Sequence, residues 1–86
     1  MENWQSILIV DDDPRICRLV ARHLSREGYS VQTASSGEEM RRGIAKEQPQ
    51  LVILDLMLPD EDGFNLAREI RAESNIGIVM LTGKTD

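Results

Sequence analysis

Three short aliphatic runs, each cut off by a polar residue, constrain this chain more than any other feature. Ile7 to Val10 stops at Asp11, Asp12 and Asp13, Leu51 to Leu54 stops at Asp55, and the run from about Ile76 to Leu81 stops at Thr82. Runs of this length read as strands, and the first, unbroken by polar residues, as one buried on both faces. The segments between the runs are too long for hairpins, which leaves crossover connections and parallel pairing. The residue that closes each run then stands at the C-terminal end of a strand.

The intervening segments carry helix signals. Asp13 followed by Pro14 is an N-cap with proline at the first helical position, where a missing amide hydrogen costs nothing, and predicts a helix from Pro14 to about Glu27. At 100° per residue Ile16, Leu19, Val20, His23 and Leu24 share the face expected to point inward, and Arg15, Arg18, Arg22 and Arg26 line another. His23 and Cys17, which have no partners at ligand spacing, read as packing residues. Gly28 supplies a left-handed C-cap, after which Tyr29, Val31 and Thr33 alternate with Ser30 and Gln32 as in a half-exposed edge strand. Ser36 with Glu39 makes a capping box for a helix through Met40, Ile44 and Ala45 that ends before Pro49. Pro59, Asp60 and Gly63 shape a loop, and Phe64, Leu66, Ala67 and Ile70 give the next helix an apolar face. Strand and helix in alternation predict an α/β fold, an open, doubly wound parallel sheet. With 86 residues there is room for one core, and with one Trp, one Tyr and one Phe that core is aliphatic.

Ligands of open α/β sheets bind beyond the carboxyl ends of the strands, where Asp11, Asp12, Asp55 and Thr82 are expected. If the first strand neighbours the third, three carboxylates face one another, and left alone at least one has its pKa raised. A hard divalent cation removes that conflict, and oxygen-only ligands suit Mg²⁺. A metal so held neutralises the equatorial oxygens in phosphoryl transfer to a carboxylate, which makes Asp55 the candidate acceptor of an acyl phosphate.

These residues resemble a family. Ile7 to Asp12, Asp55 with Pro59 and Gly63 downstream, and Leu81 with Thr82 are similar to response-regulator receiver domains of two-component signalling along the whole chain. The resemblance implies the flavodoxin-like receiver fold with strand order 2-1-3-4. It implies that Asp12 and Asp55 ligate Mg²⁺ directly with the backbone carbonyl of Met57, that Asp11 acts partly through water, and that a sensor histidine kinase phosphorylates Asp55. The Thr82 hydroxyl is expected to bond a phosphoryl oxygen and to move toward it in the active state. The resemblance also implies a domain that regulates an output and is no enzyme beyond catalysing its own phosphorylation and dephosphorylation. The stretch DLMLPDEDG is similar to regulators of the OmpR-like style with winged-helix, DNA-binding output domains, which implies transcription regulation by the full-length protein. Family receivers continue through a fourth helix, a fifth strand carrying a Lys, and a fifth helix. Residues 1–86 are therefore expected to be the N-terminal portion of a receiver, with Lys84, in the loop past Thr82, no substitute for that Lys. The fourth strand is expected to be an uncovered edge open to homodimer formation or domain-swapped self-association.

Other classes fit less well. A net charge of -5 argues against nucleic-acid binding by this segment itself. A lone Cys17 suits a reducing compartment, no run is long enough to cross a bilayer, and Met1 to Ser6 carries no basic leader, so the expected location is cytoplasmic. A haloacid dehalogenase-like aspartyl-phosphate phosphatase would pair Asp11 with Asp13, but that pattern needs Thr or Val where Arg15 stands. A flavin site would offer hydroxyls and amides in the first loop, not three aspartates. Gly83, Lys84 and Thr85 imitate the end of a P-loop, yet Ile78 occupies the required upstream glycine position.

Overall fold

A computed structural model describes residues 5–81, in which strands and helices alternate strictly: β1 (Ser6–Val10), α1 (Pro14–Arg26), β2 (Ser30–Ala34), α2 (Gly37–Lys46), β3 (Leu51–Asp55), α3 (Gly63–Glu73) and β4 (Gly77–Leu81). The strands form a single parallel sheet in the order β2-β1-β3-β4. The first strand therefore pairs directly with the third, Val10 opposite Leu54, and both occupy the sheet interior.

That interior position is why β1 and β3 are so apolar. Leu8, Val10, Val52 and Leu54 are fully buried beneath α2 and α3, against Met40, Leu66, Ala67 and Ile70. Ile7 and Ile9 face the other way and meet Cys17 of α1, with Val20, Ala21, Leu24, Leu51 and Ile53 packed around them. Each fully buried aliphatic side chain of this kind contributes about 1.5–3 kcal/mol, so the two central strands dominate the core.

Helix ends follow the local signals. Asp13 caps α1 through its side chain, and Gly28, at φ 100°, closes it. The Tyr29 N–H donates to the Leu24 carbonyl and the Gly28 N–H to that of Ser25, the paired bonds of a Schellman motif. The Ser36 hydroxyl accepts from the Glu39 N–H at 3.1 Å. The returning half of the box is displaced by one residue, since Glu39 Oε1 accepts from the N–H and hydroxyl of Ser35 at 2.8 and 3.0 Å. Strand β2 lies at the sheet edge as expected.

Two helix faces differ from the expectation. Ile16 and Leu19 are 39% and 66% exposed and His23 is also exposed, so His23 is not a packing residue. Helix α1 instead buries Cys17 and packs Val20, Ala21 and Leu24 against the sheet. Val20 and Leu24 belong to both stripes. The small Cys17 and Ala21 side chains let the helix approach the strands closely, and Cys17 is fixed by a 3.3 Å bond from Sγ to the Asp11 carbonyl. In α3, Leu66, Ala67 and Ile70 are buried as expected but Phe64 is 53% exposed. The inward position at this helix start belongs to Gly63, where a Cβ would lie 2.6 Å from Leu56 Cα.

Candidate functional site

The ladders of the sheet run one residue past the strand ends and fix what stands there. The Asp11 N–H donates to the Ala34 carbonyl at 3.0 Å, and the Leu56 N–H, just after Asp55, to the Leu81 carbonyl at 3.1 Å. Because Val10 and Leu54 are paired, Asp11 and Asp55 emerge side by side. Asp11, Asp12 and Asp55 each place a carboxylate oxygen so that all of these atoms lie within 4.8 Å of one another. Asp11 and Asp55 are 7% and 8% exposed, and Asp12 is open to solvent.

The two buried carboxylates are oriented in the same way. Asp11 Oδ1 accepts from the Asp13 N–H at 2.9 Å, and Asp55 Oδ1 accepts from the Met57 N–H at 2.9 Å. Each is locked by an amide two residues on, and among the described residues the second oxygen of each has no hydrogen-bond partner. Burial pushes the Asp11 carboxyl above the usual aspartate value. The Asp13 N–H opposes this, and the charges of Asp55, Asp12 and Asp13 add to it. Converging hard oxygen donors, two of them buried, with no Lys or Arg paired to them among the described residues, fit a hard cation and disfavour a soft one. A cleft of about 620 Å³ opens beside the cluster, lined by Asp11, Asp12, Cys17, Arg18, Ser35 and Glu39 among others.

The remaining sequence-stated residues fall into place unevenly. Asp13 does not join the cluster: its carboxylate accepts from the Arg15 N–H at 2.9 Å and from Arg15 Nε and Nη2 at 3.3 and 3.2 Å. These bonds hold it below the usual aspartate range. Met57 belongs to the loop after β3, which folds back on itself through a bridge between Met57 and Asp62. Thr82 and Lys84 lie outside the described residues; Leu81, which precedes Thr82, pairs with Asp55.

Two features escaped the sequence reading. Asp62 caps α3, accepting from the Phe64 N–H at 2.9 Å, and its signal, an acid just before Gly63, was available. Arg41 binds Glu61 and Glu69, which stand 20 and 28 residues away, and no local spacing announces such a contact.

Comparison with known proteins bears on this geometry. Residues 7–86 match the family of response regulator receiver domains. The chain is 46% identical to the transcriptional regulatory protein GltR of Pseudomonas aeruginosa over 98% of this chain and 36% of GltR. It is 47% identical to the probable transcriptional regulator ycf27 of Pyropia yezoensis over 95% of this chain and 34% of that protein, and so spans about a third of the curated relatives it matches. Among solved structures, the BeF3-activated receiver domain of Klebsiella pneumoniae RstA superposes with a TM-score of 0.87 at 36% identity, covering 95% of this chain and 70% of that one. The chemotaxis response regulator CheY4 of Vibrio cholerae superposes with a TM-score of 0.89 at 31% identity, covering 98% and 72%.

Proposed function

The chain belongs to the response regulator receiver domains, the regulatory phospho-acceptors of two-component systems, and from that premise we propose that Asp55 is its phospho-accepting residue. One observation carries the reading: at the ends of two paired strands, three carboxylates converge within 4.8 Å, and the buried Asp55 is oriented by the Met57 N–H.

Asp55 Oδ1 is held by that amide, which leaves the second oxygen to attack the phosphorus of a phosphohistidine on a sensor kinase. The new O–P bond forms as the P–N bond breaks, and the electron pair returns to the imidazole nitrogen. Asp11, Asp12, Asp55 and the backbone carbonyl of Met57 would hold Mg²⁺, which when bound neutralises the equatorial phosphoryl oxygens and lets the carboxylates coexist. Asp11, fixed by the Asp13 N–H, keeps its charge turned toward the same point as Asp55. The Thr82 hydroxyl bonds a phosphoryl oxygen of the product, a role its place after the residue paired with Asp55 supports. The domain catalyses its own phosphorylation and dephosphorylation.

The relatives GltR and ycf27 are transcriptional regulators about three times the length of this chain. On our reading DNA is bound by an output domain of a longer protein, and the domain works in the cytoplasm. No described helix is long and apolar enough to cross a membrane.

Incubation with Mg²⁺ and acetyl phosphate, followed by intact mass, tests the proposal. The chain is expected to gain at most one labile phosphate, and Asp55→Asn none. Release of many equivalents of inorganic phosphate per chain would point to a phosphatase, and a labile phosphate retained by Asp55→Asn would place the acceptor elsewhere.

A further inference from the structure

Arg41, in α2, binds two carboxylates from other parts of the chain. Its Nη1 and Nη2 donate to Glu61 Oε2 and Oε1 at 2.9 and 2.7 Å, and its Nε and Nη2 donate to Glu69 Oε2 and Oε1 at 2.7 and 3.0 Å. Both contacts are two-pronged, the geometry in which guanidinium and carboxylate lose least freedom per bond. Glu69 lies on α3, whereas Glu61 lies in the loop after β3, one residue before the cap Asp62.

Glu61 is gripped from a second side. A Cβ on Gly37, the first residue of α2, would stand 2.5 Å from Glu61 Oε2, so the carboxylate rests against the helix start, where the macrodipole favours an anion. Arg41 draws the Glu61 carboxyl below its ordinary range. The groups are partly exposed, so the network adds little to global stability, and its effect is local.

The loop gives that local effect a direction. Glu61 is bonded through the backbone to Asp62, Asp62 is bridged to Met57, and the Met57 N–H holds Asp55 Oδ1. Between these points Leu58 is buried in the core, whereas Pro59 and Asp60 are exposed. We propose that Arg41 is a positioning residue: by clamping Glu61 onto α2 it fixes the fold-back of the β3–α3 loop, and with it the backbone of Met57 and the orientation of Asp55. The role of that orientation in holding Mg²⁺ rests on the receiver-site reading above; the clamp itself does not.

The test compares Arg41→Gln, Glu61→Gln, Arg41→Lys and Gly37→Ala with the unmodified chain in its natural sequence context. In metal-free protein the Met57 amide is expected to exchange with solvent about two- to fivefold faster in Arg41→Gln and Glu61→Gln, the span that exposed ion pairs command. Core amides such as those of Leu8 and Val52 should keep their rates. The double variant should be no worse than the more affected of the two single ones, since both break the Arg41–Glu61 contact. Arg41→Lys should recover part of the loss, and Gly37→Ala, which pushes Glu61 from the other side, should reproduce it with Arg41 intact. Mg²⁺ titration should show affinity lowered by a similar factor. An unchanged Met57 exchange rate in both Gln variants, or equal acceleration of Met57 and the core amides, would overturn the clamp. If the unmodified chain binds no Mg²⁺, the receiver-site reading fails, while the Met57 amide still decides the clamp.

Discussion

Two glycine-to-alanine substitutions, both in helices, should move stability in opposite directions. At Gly63 a new Cβ would stand 2.6 Å from Leu56 Cα and 3.0 Å from the Asp55 carbonyl oxygen. Carbon atoms rest at about 3.5–4.0 Å, so the overlap with Leu56 approaches ~1 Å and falls on backbone that cannot swing aside. Overpacking of this kind costs about 1–3 kcal/mol, and at the first residue of α3 little of the alanine advantage of a helix interior is gained to offset it. At Gly43 the nearest atoms to a new Cβ are the Gln32 side-chain oxygen and the Leu8 methyls at 3.7 Å, ordinary contact distance. There the propensity gain should appear almost whole, as up to about 1 kcal/mol of added stability. For a domain of this size 1 kcal/mol moves the melting temperature by about 4–8 °C, so calorimetry or circular dichroism will separate the two variants. Gly63→Ala should also disturb the Asp55–Leu56 backbone and weaken Mg²⁺ binding, which Gly43→Ala should not. Equal melting temperatures for the two variants, or a lower one for Gly43→Ala, would refute the packing described around the start of α3.

Other perturbations test separate parts of the account. Gly28→Ala forces a side chain into the left-handed region at φ 100° and should cost about 1–2 kcal/mol, read as a lower urea midpoint. The Asp11 carboxyl is raised by burial, so the folded chain binds this proton more readily than the unfolded chain. Its contribution therefore turns against the fold as pH rises above the ordinary aspartate value and stays so at neutral pH. Asp11→Asn should accordingly raise the metal-free melting temperature at pH 7. It should also erase most of the stabilisation by Mg²⁺, which for one site reaches about 2.7 kcal/mol at a hundredfold excess over Kd; a lower metal-free melting temperature in the variant would contradict this.

Much of this fold was readable because its signals are local. Asp13, Gly28 and Ser36 act on atoms within a few residues, and each does what its spacing implies. The buried strands were readable from unbroken aliphatic runs, but residue types alone do not order strands. The adjacency of β1 and β3 was a condition in the sequence reading, and the order 2-1-3-4 came from resemblance. The α1 face was misjudged because Val20 and Leu24 serve two overlapping stripes. Bulk favoured Ile16 and Leu19, whereas close approach to the sheet favoured Cys17 and Ala21. Phe64 was misplaced for a related reason, since hydrophobicity draws attention to the large residue and the tight contact belongs to Gly63. Asp11, Asp12 and Asp55 were identifiable as acids at strand ends, and their convergence follows from the pairing of Val10 with Leu54. The Arg41 network was invisible because its partners are distant in sequence and belong to an irregular loop.

The central claim is that Asp55 carries the phosphoryl group. An acyl phosphate on aspartate is reduced by borohydride to homoserine, which marks the residue permanently. After incubation with Mg²⁺ and acetyl phosphate, reduction and peptide mapping should find homoserine at position 55 alone, and none when Mg²⁺ is removed by chelation. Homoserine at position 11 or 12, or none at position 55 in a folded, Mg²⁺-bound chain, would contradict the account.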